Sequence, residues 1–307
     1  MESKEKYPLV SIGIPTYNRN GGILKTLQSI WKQEYPNLEI IISDNHATDN
    51  TEEILRELEK EHPEIKYFRQ EQNIGMVPNF EFVLRQATGK YFMWVADDDD
   101  LEPGIIARYT AFLEDHPGYS LVSGEIKYWL NNNSDFNERG FTFEQESPGL
   151  RVVNYYFKVI YGGMIHGMMR RDLTGNITLR KVIGNDYHFI ANLAYLGKVK
   201  NFEFIGYNKT FGGTSKTFQQ YAEAMGESDF ARNFPHVKIA CDAFAEVWSR
   251  SPVYSSMHTL PKFMLAVSSF SGVFFCYYGK IFPLTLGGKV KRFFGRVLAK
   301  LSLLWTF

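Results

Sequence analysis

The sequence of 307 residues predicts an α/β fold, with a mainly parallel, doubly wound sheet flanked by helices and followed by a helical C-terminal extension. Three observations predict this class. Short apolar runs alternate with stretches of helical spacing, the runs are apolar throughout, and polar residues follow their carboxyl ends. Ligands of such sheets bind at the carboxyl ends of the strands, so we expect the functional site there.

Strands and helices alternate through the first part of the chain. The predicted strands are residues 9–15, 38–43, 65–68 and 91–96. After the first strand, Ile23, Leu27 and Ile30 recur at helical spacing. A second helix follows the second strand, and a third is predicted over Val77–Ala87, with Gly89 after it. The repeated strand–helix–strand order is typical of a parallel sheet.

The second part of the chain is less regular. Residues 130–150 are mostly polar and predict a mobile loop. A helix is predicted between Gly184 and Gly197, followed by a strand over 199–204 that returns to the site. Beyond Gln219 the pattern is helical.

Composition excludes some classes of function. The formal net charge is zero, so no overall positive field attracts nucleic acid. Cys241 and Cys276 are the two cysteines and lack a metal-binding spacing, which fits a reducing compartment. The residues from Met1 to Lys6 lack the apolar run of a signal peptide, so we expect the protein on the cytoplasmic side of the membrane.

Four consecutive aspartates, Asp97–Asp100, follow the predicted strand 91–96. Carboxylates crowded at the end of a buried strand cost free energy unless a cation or hydrogen bonds compensate them. Mn²⁺ or Mg²⁺ could do so, because both prefer oxygen ligands and are often shared with substrate phosphates. The alternative is a solvated acidic turn that caps the helix near Pro103. Asp44 ends a neighbouring strand and could accept hydrogen bonds from a base or a ribose.

Taken in order, several motifs resemble those of the family 2 glycosyltransferases of GT-A (Rossmann-like) fold. They are Val10–Asn18, Ser43–Asn45 with Thr48–Asp49, Asn73-x-Gly75, Gly89–Tyr91 and Asp97–Asp100. The resemblance covers about Pro8 to Gly213, and the ordered set is far more specific than any one motif. It implies a catalytic domain over residues 1–215 that binds the nucleotide sugar and the acceptor, and a helical region over 216–307.

The resemblance also assigns roles to single residues. It implies a nucleotide-sugar site made by Pro15, Thr16, Tyr17, Arg19, Asp44, Asn73, Asp97, Asp98 and Lys209. Within that set, Asp44 contacts the base, Asp97 lies on the ribose side and Lys209 takes the place of an arginine as a phosphate contact. Asp99, with Asp97, is expected to bind Mn²⁺ or Mg²⁺. The sequence departs from the family pattern at 208–215, where the usual histidine is absent.

Asp186 is the implied catalytic base, although the family usually has Glu-Asp where this chain has Asn185-Asp186. An acceptor hydroxyl is a poor nucleophile near neutral pH, so a carboxylate must take its proton as the new bond forms. Single displacement with inversion at the anomeric carbon is then expected. From the residues alone, an N-cap of the helix is the favoured role of Asp186, and only the resemblance favours the catalytic base.

The C-terminus predicts membrane contact. From Lys289 to Leu304, apolar residues fall on one helical face and basic residues on another, which is typical of a helix on an anionic membrane surface. Alternatively, this helix packs on its own domain or on a dimer partner, which leaves a homodimer open. The uncharged stretch Phe263–Gly279 is expected to lie in or on the membrane. Together these segments predict a peripheral protein on the cytoplasmic face of the inner membrane.

The predicted function is transfer of a sugar to a glycan or lipid-linked oligosaccharide, in bacterial O-antigen, lipopolysaccharide or capsule synthesis. The stretches Asn73–Phe80 and Trp94–Gly104 resemble abequosyltransferase-like enzymes, which implies a CDP-linked dideoxy sugar as donor. Two alternatives remain at this point: a nucleotidyltransferase acting on sugar phosphates, and a non-catalytic sugar-binding protein.

Overall fold

A computed structural model describes residues 7–130, 133–210 and 218–278. Its chain divides into two compact units. The first unit comprises Met1–Gly140, Gly163–Lys181 and Lys200–Thr214, and the second comprises Phe141–Gly162, Val182–Val199 and Ser215–Phe307. The second unit therefore combines the C-terminal region with two earlier segments of the chain, Phe141–Gly162 and Val182–Val199. The functional division at residues 215 and 216 stays a prediction.

The first unit contains a nine-stranded sheet and four helices among its described residues. Its strands are β1 (Val10–Thr16), β2 (Leu38–Asp44), β3 (Ile65–Arg69), β4 (Tyr91–Trp94), β5 (Asp100–Leu101), β6 (Tyr119–Leu130), β7 (Asn133–Glu138), β8 (Met168–Arg170) and β9 (Lys198–Thr210), the last of which begins in the second unit. Its helices are α1 (Ile23–Trp31), α2 (Thr51–Glu61), α3 (Met76–Gln86) and α4 (Ile105–Asp115).

The sheet is parallel on one side and antiparallel on the other. Its strand order is β3-β2-β1-β4-β8-β6-β9-β5, with β7 paired to β6. Strands β1 to β4 pair in parallel, with Thr16 opposite Asp44 at the carboxyl ends of β1 and β2. Strand β8 runs antiparallel to β4 and β6. The predicted α/β class is confirmed, and the strand predicted over 199–204 is part of β9. The other strands of the antiparallel half were not predicted.

Burial on both faces explains the apolar runs of the parallel strands. Every residue of β1 is buried, and so are Ile23, Leu27 and Ile30 of α1, which recur at one face of the helix. Helix α3 begins after Gly75, whose φ of 88° lies in the region that glycine tolerates best. The predicted elements of this half of the chain are therefore present, with ends shifted by one or two residues.

The mobile loop predicted over residues 130–150 is wrong in its first part. Strands β6 and β7 pair there as an antiparallel hairpin, with Ile126 opposite Glu138. The Tyr128 ring stacks on Phe136 with their centroids 4.5 Å apart, and the Tyr128 hydroxyl donates to Glu138 over 2.7 Å. These cross-strand contacts stabilise a segment whose polar composition alone suggests a loop.

The second unit is helical in its described part. Its helices are α5 (Pro148–Lys158), α6 (Asn185–Leu196), α7 (Phe218–Ala224), α8 (Asp229–Asn233), α9 (Pro235–Ala245) and α10 (Thr259–Tyr278). Helix α10 packs on α9 and α5, and α5 packs on α6. Within the described residues one segment, Thr259–Tyr277, is long and apolar enough to cross a membrane, and 39% of it is buried inside the protein. The basic helix predicted over Lys289–Leu304 lies outside the described residues.

A buried glutamate joins three parts of the sheet at the opposite end from the carboxyl ends of β1 and β2. Glu39, at the start of β2, accepts hydrogen bonds from Ser11 of β1, from Lys66 of β3 over 2.6 Å and from Thr88 before β4. Burial alone would raise the pKa of Glu39, but these hydrogen bonds outweigh it and lower the pKa to about 2. Glu39 is therefore ionised and fully bonded in the folded chain at neutral pH.

Replacing this glutamate should destabilise the sheet. Glu39→Gln removes the charge that Lys66 and the backbone N–H of Thr88 compensate, and we expect the free energy of unfolding to fall by about 2–4 kcal/mol at pH 7. Because the folded pKa lies below the ordinary value of 4.5, the ionised group stabilises the fold fully above pH 4.5 and loses this effect as the pH falls towards 2. Urea unfolding at pH 7 and pH 3 measures both effects.

Glu57→Gln is the matched control, because Glu57 is exposed and pairs with Lys60 on the surface of α2. Its effect should stay below about 1 kcal/mol. Equal losses in the two variants would show that Glu39 has no special role in stability.

Candidate functional site

The candidate site is built on the carboxyl ends of β1, β2 and β4. The segment after β1 carries Tyr17 and Arg19, and the four aspartates begin three residues after the end of β4, with Asp100 as the first residue of β5. Backbone strain marks the loops after β1 and β2, because Asn18, Asn20 and His46 have positive φ angles of 51°, 48° and 65°. Their shapes are held by cross-loop hydrogen bonds such as Thr48 N–H to Asn18 Oδ1 at 2.8 Å.

Arg19 neutralises the first two aspartates of the run. Its Nε lies 2.8 Å from Asp97 Oδ1, and its NH2 lies 3.0 Å from Asp98 Oδ2. The backbone N–H of Tyr17 faces Asp97 Oδ2 over 3.4 Å. The loop after β1 therefore contacts the acidic run through both a guanidinium and a backbone donor.

The turn of Asp99 is fixed by groups from α1 and β9. Thr26 donates to the Asp99 carbonyl over 2.8 Å, and the Thr210 N–H donates to Asp99 Oδ1 over 2.8 Å. The Ala96 N–H donates to the Tyr207 hydroxyl over 2.9 Å. Asp99 is only 1% exposed, and its Oδ2 is a buried oxygen without a hydrogen-bond partner. This orphaned oxygen is the feature that a cation would satisfy.

Burial changes the ionisation of the acidic run. It raises the pKa of Asp99 to about 7, and Asp98 adds to the rise. Lys209, the Thr210 N–H and the Tyr207 hydroxyl oppose the rise without cancelling it. Burial also raises the pKa of Asp97, although Arg19 opposes this effect. Asp99 therefore lacks full compensation of its negative charge by the chain's own groups.

His166 is a site residue that the sequence analysis missed. It lies in a short turn before β8, where its ring stacks on Tyr207 with centroids 4.4 Å apart. Burial and the nearby Lys209 hold its pKa well below the usual value, so the ring is neutral. Nδ1 lies 3.3 Å from the Trp94 carbonyl and Nε2 lies 3.2 Å from Lys209 Nζ. Because an ammonium only donates, the proton belongs on Nδ1 and Nε2 accepts from Lys209.

The sequence around His166 gave no sign that it contacts Lys209, because its position depends on the antiparallel pairing of β8 with β4. Lys209 itself reaches the site because β9 pairs with β5, which places Asn208 opposite Asp100. The structure thus brings Arg19, Asp97–Asp99, His166 and Lys209 to the same edge of the first unit.

Asp44 and Asn73 have structural partners. The Asp44 carboxylate has zero exposure and accepts hydrogen bonds from the Tyr67 hydroxyl at 2.8 Å, Arg69 NH1 at 2.8 Å and the Ala47 N–H at 2.7 Å. A base could contact these oxygens only if Tyr67 or Arg69 moved. Asn73 is exposed and accepts from Asn45 Nδ2 over 3.0 Å. Their roles in nucleotide binding stay predictions.

Asp186 lies in the second unit, in the first turn of α6. The helix begins after Gly184, whose φ is 71°, and Asp186 Oδ1 accepts from the Tyr187 N–H over 3.0 Å. Gly162 packs directly against the carboxylate: a β-carbon at this position would overlap Oδ2 and lie 2.6 Å from Cγ. The half-buried carboxylate is thus held between its own helix and a glycine that leaves it room.

Among the residues that the structure describes, no group of three or more histidine, cysteine, aspartate or glutamate side chains is arranged to hold a metal ion by itself. Asp97 and Asp99 supply two carboxylates, of which Asp99 has a buried oxygen to offer. Mg²⁺ is commonly bound by one or two carboxylates with substrate phosphates and water as the other ligands. The donor set fits a cation shared with a diphosphate.

Comparison of the sequence with known families and proteins gives consistent matches. The profile of the family described as "Glycosyl transferase family 2" matches residues 11–176. A segment of 142 residues is 32% identical to the GalNAc(5)-diNAcBac-PP-undecaprenol beta-1,3-glucosyltransferase of Campylobacter jejuni, covering 45% of each chain. The chondroitin synthase of Escherichia coli is 29% identical over 223 residues, which cover 70% of this chain and 31% of that one. The matched segments thus span less than half of these relatives.

Solved structures share the fold. The structure of Staphylococcus aureus TarS 1–349 in complex with UDP-GlcNAc has a TM-score of 0.63 and 19% identity, covering 87% of this chain and 73% of that chain. The mannosyltransferase PcManGT from Pyrobaculum calidifontis, in complex with GDP-Man and Mn²⁺, has a TM-score of 0.53 and 16% identity, covering 98% and 83%. At these identities the likeness concerns the fold alone.

Neutralising Asp99 should stabilise the metal-free protein at high pH. The folded pKa of about 7 exceeds the ordinary 3.8, so the folded state holds a proton that the unfolded state has lost, and this group's contribution to stability falls as the pH rises from about 4 to 7. Asp99→Asn lacks this titration. In the presence of a chelator, we expect the variant to unfold at a higher temperature than the wild type at pH 8 and to lose that advantage at pH 5.

Groups distant from Asp99 titrate alike in the two proteins, so the difference between their melting temperatures reports Asp99 and its coupled neighbours Asp98 and Lys209. A difference that stays constant from pH 5 to pH 8 would contradict the raised pKa.

Proposed function

The chain belongs to glycosyltransferase family 2 and has the GT-A fold, and we propose that it transfers a sugar from a nucleotide-diphosphate donor to a glycan or lipid-linked glycan. The observation that carries the proposal is the buried Asp99 oxygen without a partner, beside Asp97 and Arg19 at the carboxyl ends of the strands. Family membership also decides against the nucleotidyltransferase alternative.

In this proposal Asp99 and Asp97 are the residues that would hold Mn²⁺ or Mg²⁺, and the ion would supply stabilisation of the negative charge on the departing diphosphate. Arg19 and Lys209 add positive charge at the same edge and are suited to contact phosphate oxygens. His166 accepts a hydrogen bond from Lys209 and so orients the Lys209 ammonium. Because the His166 ring is neutral, it leaves the positive charge of Lys209 available to a phosphate. Pro15, Thr16, Tyr17 and the loop after β2 surround the nucleotide.

Asp186 is the proposed catalytic base. Its carboxylate takes the proton from the acceptor hydroxyl while that oxygen bonds to the anomeric carbon, and the bond from that carbon to the diphosphate oxygen breaks with its electrons leaving on the diphosphate. This single displacement inverts the anomeric configuration. Gly162 serves the step indirectly, because its lack of a side chain lets the Asp186 carboxylate keep its position.

The names of the relatives support the acceptor class. One is a glucosyltransferase of an undecaprenol-linked glycan and another is a chondroitin synthase, so lipid-linked or polymeric glycans are the proposed acceptors. We place the reaction in bacterial surface-glycan synthesis, at the cytoplasmic face of the inner membrane, with the basic segment Lys289–Leu304 contacting anionic lipid. Two donor classes are proposed: UDP-linked sugars, as bound by TarS, and the CDP-linked dideoxy sugars of abequosyltransferase-like enzymes.

Donor binding should depend on the cation and on Asp99. With Mn²⁺ present, the matching member of a panel of UDP-, CDP-, GDP- and dTDP-sugars should raise the melting temperature, because a ligand that binds only the folded state stabilises it. The effect should be lost with a chelator and in Asp99→Asn, and it should persist in Asp115→Asn, which alters the last residue of α4. Equal donor shifts with chelator and with Mn²⁺ would contradict the proposed metal site.

Removing the base should abolish transfer while sparing donor binding. We expect Asp186→Asn to lower kcat by about 10²–10⁴-fold, the usual range for general base catalysis, with an unchanged donor-induced thermal shift. Gly162→Ala should lower kcat by about 10²-fold because its methyl group displaces the carboxylate. In the Asp186→Asn background, Gly162→Ala should have little further effect, since both changes act on the same step.

Gly175→Ala is the control, because a β-carbon at Gly175 meets no atom within 4 Å. Undiminished transfer by Asp186→Asn would exclude it as the base, and donor binding without transfer in every form would favour a binding protein. Loss in Asp186→Asn with full activity in Gly162→Ala would overturn only the positioning role of Gly162.

A further inference from the structure

Helix α10 carries apolar side chains on its outer face, where a globular protein usually has polar ones. Leu260, Phe263 and Val267 are 68%, 47% and 40% exposed. They recur at intervals of three and four residues, so they lie along one stripe of the helix. The stripe is too continuous to be a set of scattered surface residues.

Two aromatic residues from the preceding segment extend this stripe. Trp248 is 37% exposed, and its ring centroid lies 5.7 Å from that of Phe263. Phe244 lies 6.2 Å from Phe263 and 6.4 Å from Trp248, again between centroids. We call the five residues Phe244, Trp248, Leu260, Phe263 and Val267 the apolar face. Tryptophan and phenylalanine suit a boundary between water and lipid, since tryptophan joins a large apolar ring to one polar group.

The opposite side of α10 is packed against the rest of the second unit. Leu265, Ala266, Ser269 and Val273 are buried, and a β-carbon at Gly272 would lie 3.0 Å from the backbone of Tyr156. A helix that spans a bilayer alone would face lipid on all sides, but this helix faces its own protein on one side. The geometry therefore suits a helix lying along a membrane surface.

The charge of the C-terminal region indicates which partner the apolar face binds. From Val247 to Phe307 the sequence contains no aspartate or glutamate and eight basic residues: Arg250, Lys262, Lys280, Lys289, Lys291, Arg292, Arg296 and Lys300. Since the whole chain has 34 basic and 34 acidic residues, the remainder carries 26 basic and 34 acidic ones. The positive charge is thus concentrated in the region that carries most of the apolar face.

This asymmetry decides between a membrane and a second copy of the chain. Two copies joined through the apolar face would bring together Lys262 of each copy, next to Phe263, with no aspartate or glutamate in Val247–Phe307 to pair with it, and Coulomb repulsion opposes this contact. An anionic lipid surface attracts the same region, and each basic residue near it strengthens binding. A membrane also accepts exposed aromatic side chains without a matching protein surface.

We propose that the apolar face docks on an anionic bilayer, with α10 lying parallel to the membrane and Trp248 and Phe263 inserted at the level of the headgroups. The binding does not depend on catalysis or on the nucleotide site. It adds to the contact proposed for Lys289–Leu304, because it supplies the apolar insertion that survives when salt screens the basic residues.

The test uses the full chain and flotation with vesicles of phosphatidylcholine, with and without phosphatidylglycerol, at low and high salt. We expect binding to the phosphatidylglycerol vesicles, and a fall of about tenfold in the partition coefficient for Phe263→Ser, from the lost burial of one aromatic side chain. Trp248→Ser should act in the same direction. Leu196→Ser is the control, because Leu196 is 38% exposed but lies outside the apolar face.

Thermal unfolding of each variant checks that the fold is intact, as expected for exposed positions. Wild-type partitioning in both Phe263→Ser and Trp248→Ser at every salt concentration would overturn the proposal. So would a dimer of the wild type in vesicle-free solution that Phe263→Ser dissociates, because the apolar face would then belong to a second copy.

Discussion

Compensation of negative charge at the end of a buried strand is the constraint on which the candidate site depends. Strand β4 ends in the core, and Asp97 and Asp99 follow it with 6% and 1% exposure. Each needs positive charge or hydrogen-bond donors at close range. Arg19 meets this need for Asp97, while Thr210 meets it for only one oxygen of Asp99. The second carboxylate oxygen of Asp99 is therefore buried without a hydrogen-bond partner.

The same constraint shapes the neighbouring elements. The loop after β1 adopts strained backbone angles at Asn18 and Asn20 and so presents Arg19 to the acidic run. Strand β9 pairs with β5 and brings Lys209 to the site, where burial and then the Lys209 charge lower the pKa of His166 and keep its ring neutral. At the other end of the sheet, Glu39 is compensated completely and has a lowered pKa. Glu39 thus has its hydrogen-bond partners within the chain, whereas Asp99 keeps one buried oxygen without a partner.

The parallel half of the fold could be predicted from the sequence because its signals are local. Buried parallel strands read as apolar runs, and the helices between them show their buried face at regular spacing. The place of Asp97–Asp100 followed from the strand before it. Of the antiparallel half only the strand over 199–204 was predicted, because β8 and β5 are three and two residues long and too short to show a periodic pattern. His166 and the apolar face depend on tertiary placement, and the pairing of Tyr128 with Phe136 overrode a polar composition.

The hydrogen bond from Thr210 to Asp99 has a consequence for how the chain folds during its synthesis. The two residues are separated by 111 positions, so the acidic turn is made by the ribosome long before the strand that fixes it. Strands β1 and β2 pair across 28 positions, Val10 with Leu38, and β1 pairs with β4 across 81, Val10 with Tyr91, so all three strands precede the turn in synthesis. Asp99 Oδ1 therefore gains its Thr210 partner only after residue 210 has been translated, so the acidic turn is completed later in synthesis than the strand that precedes it.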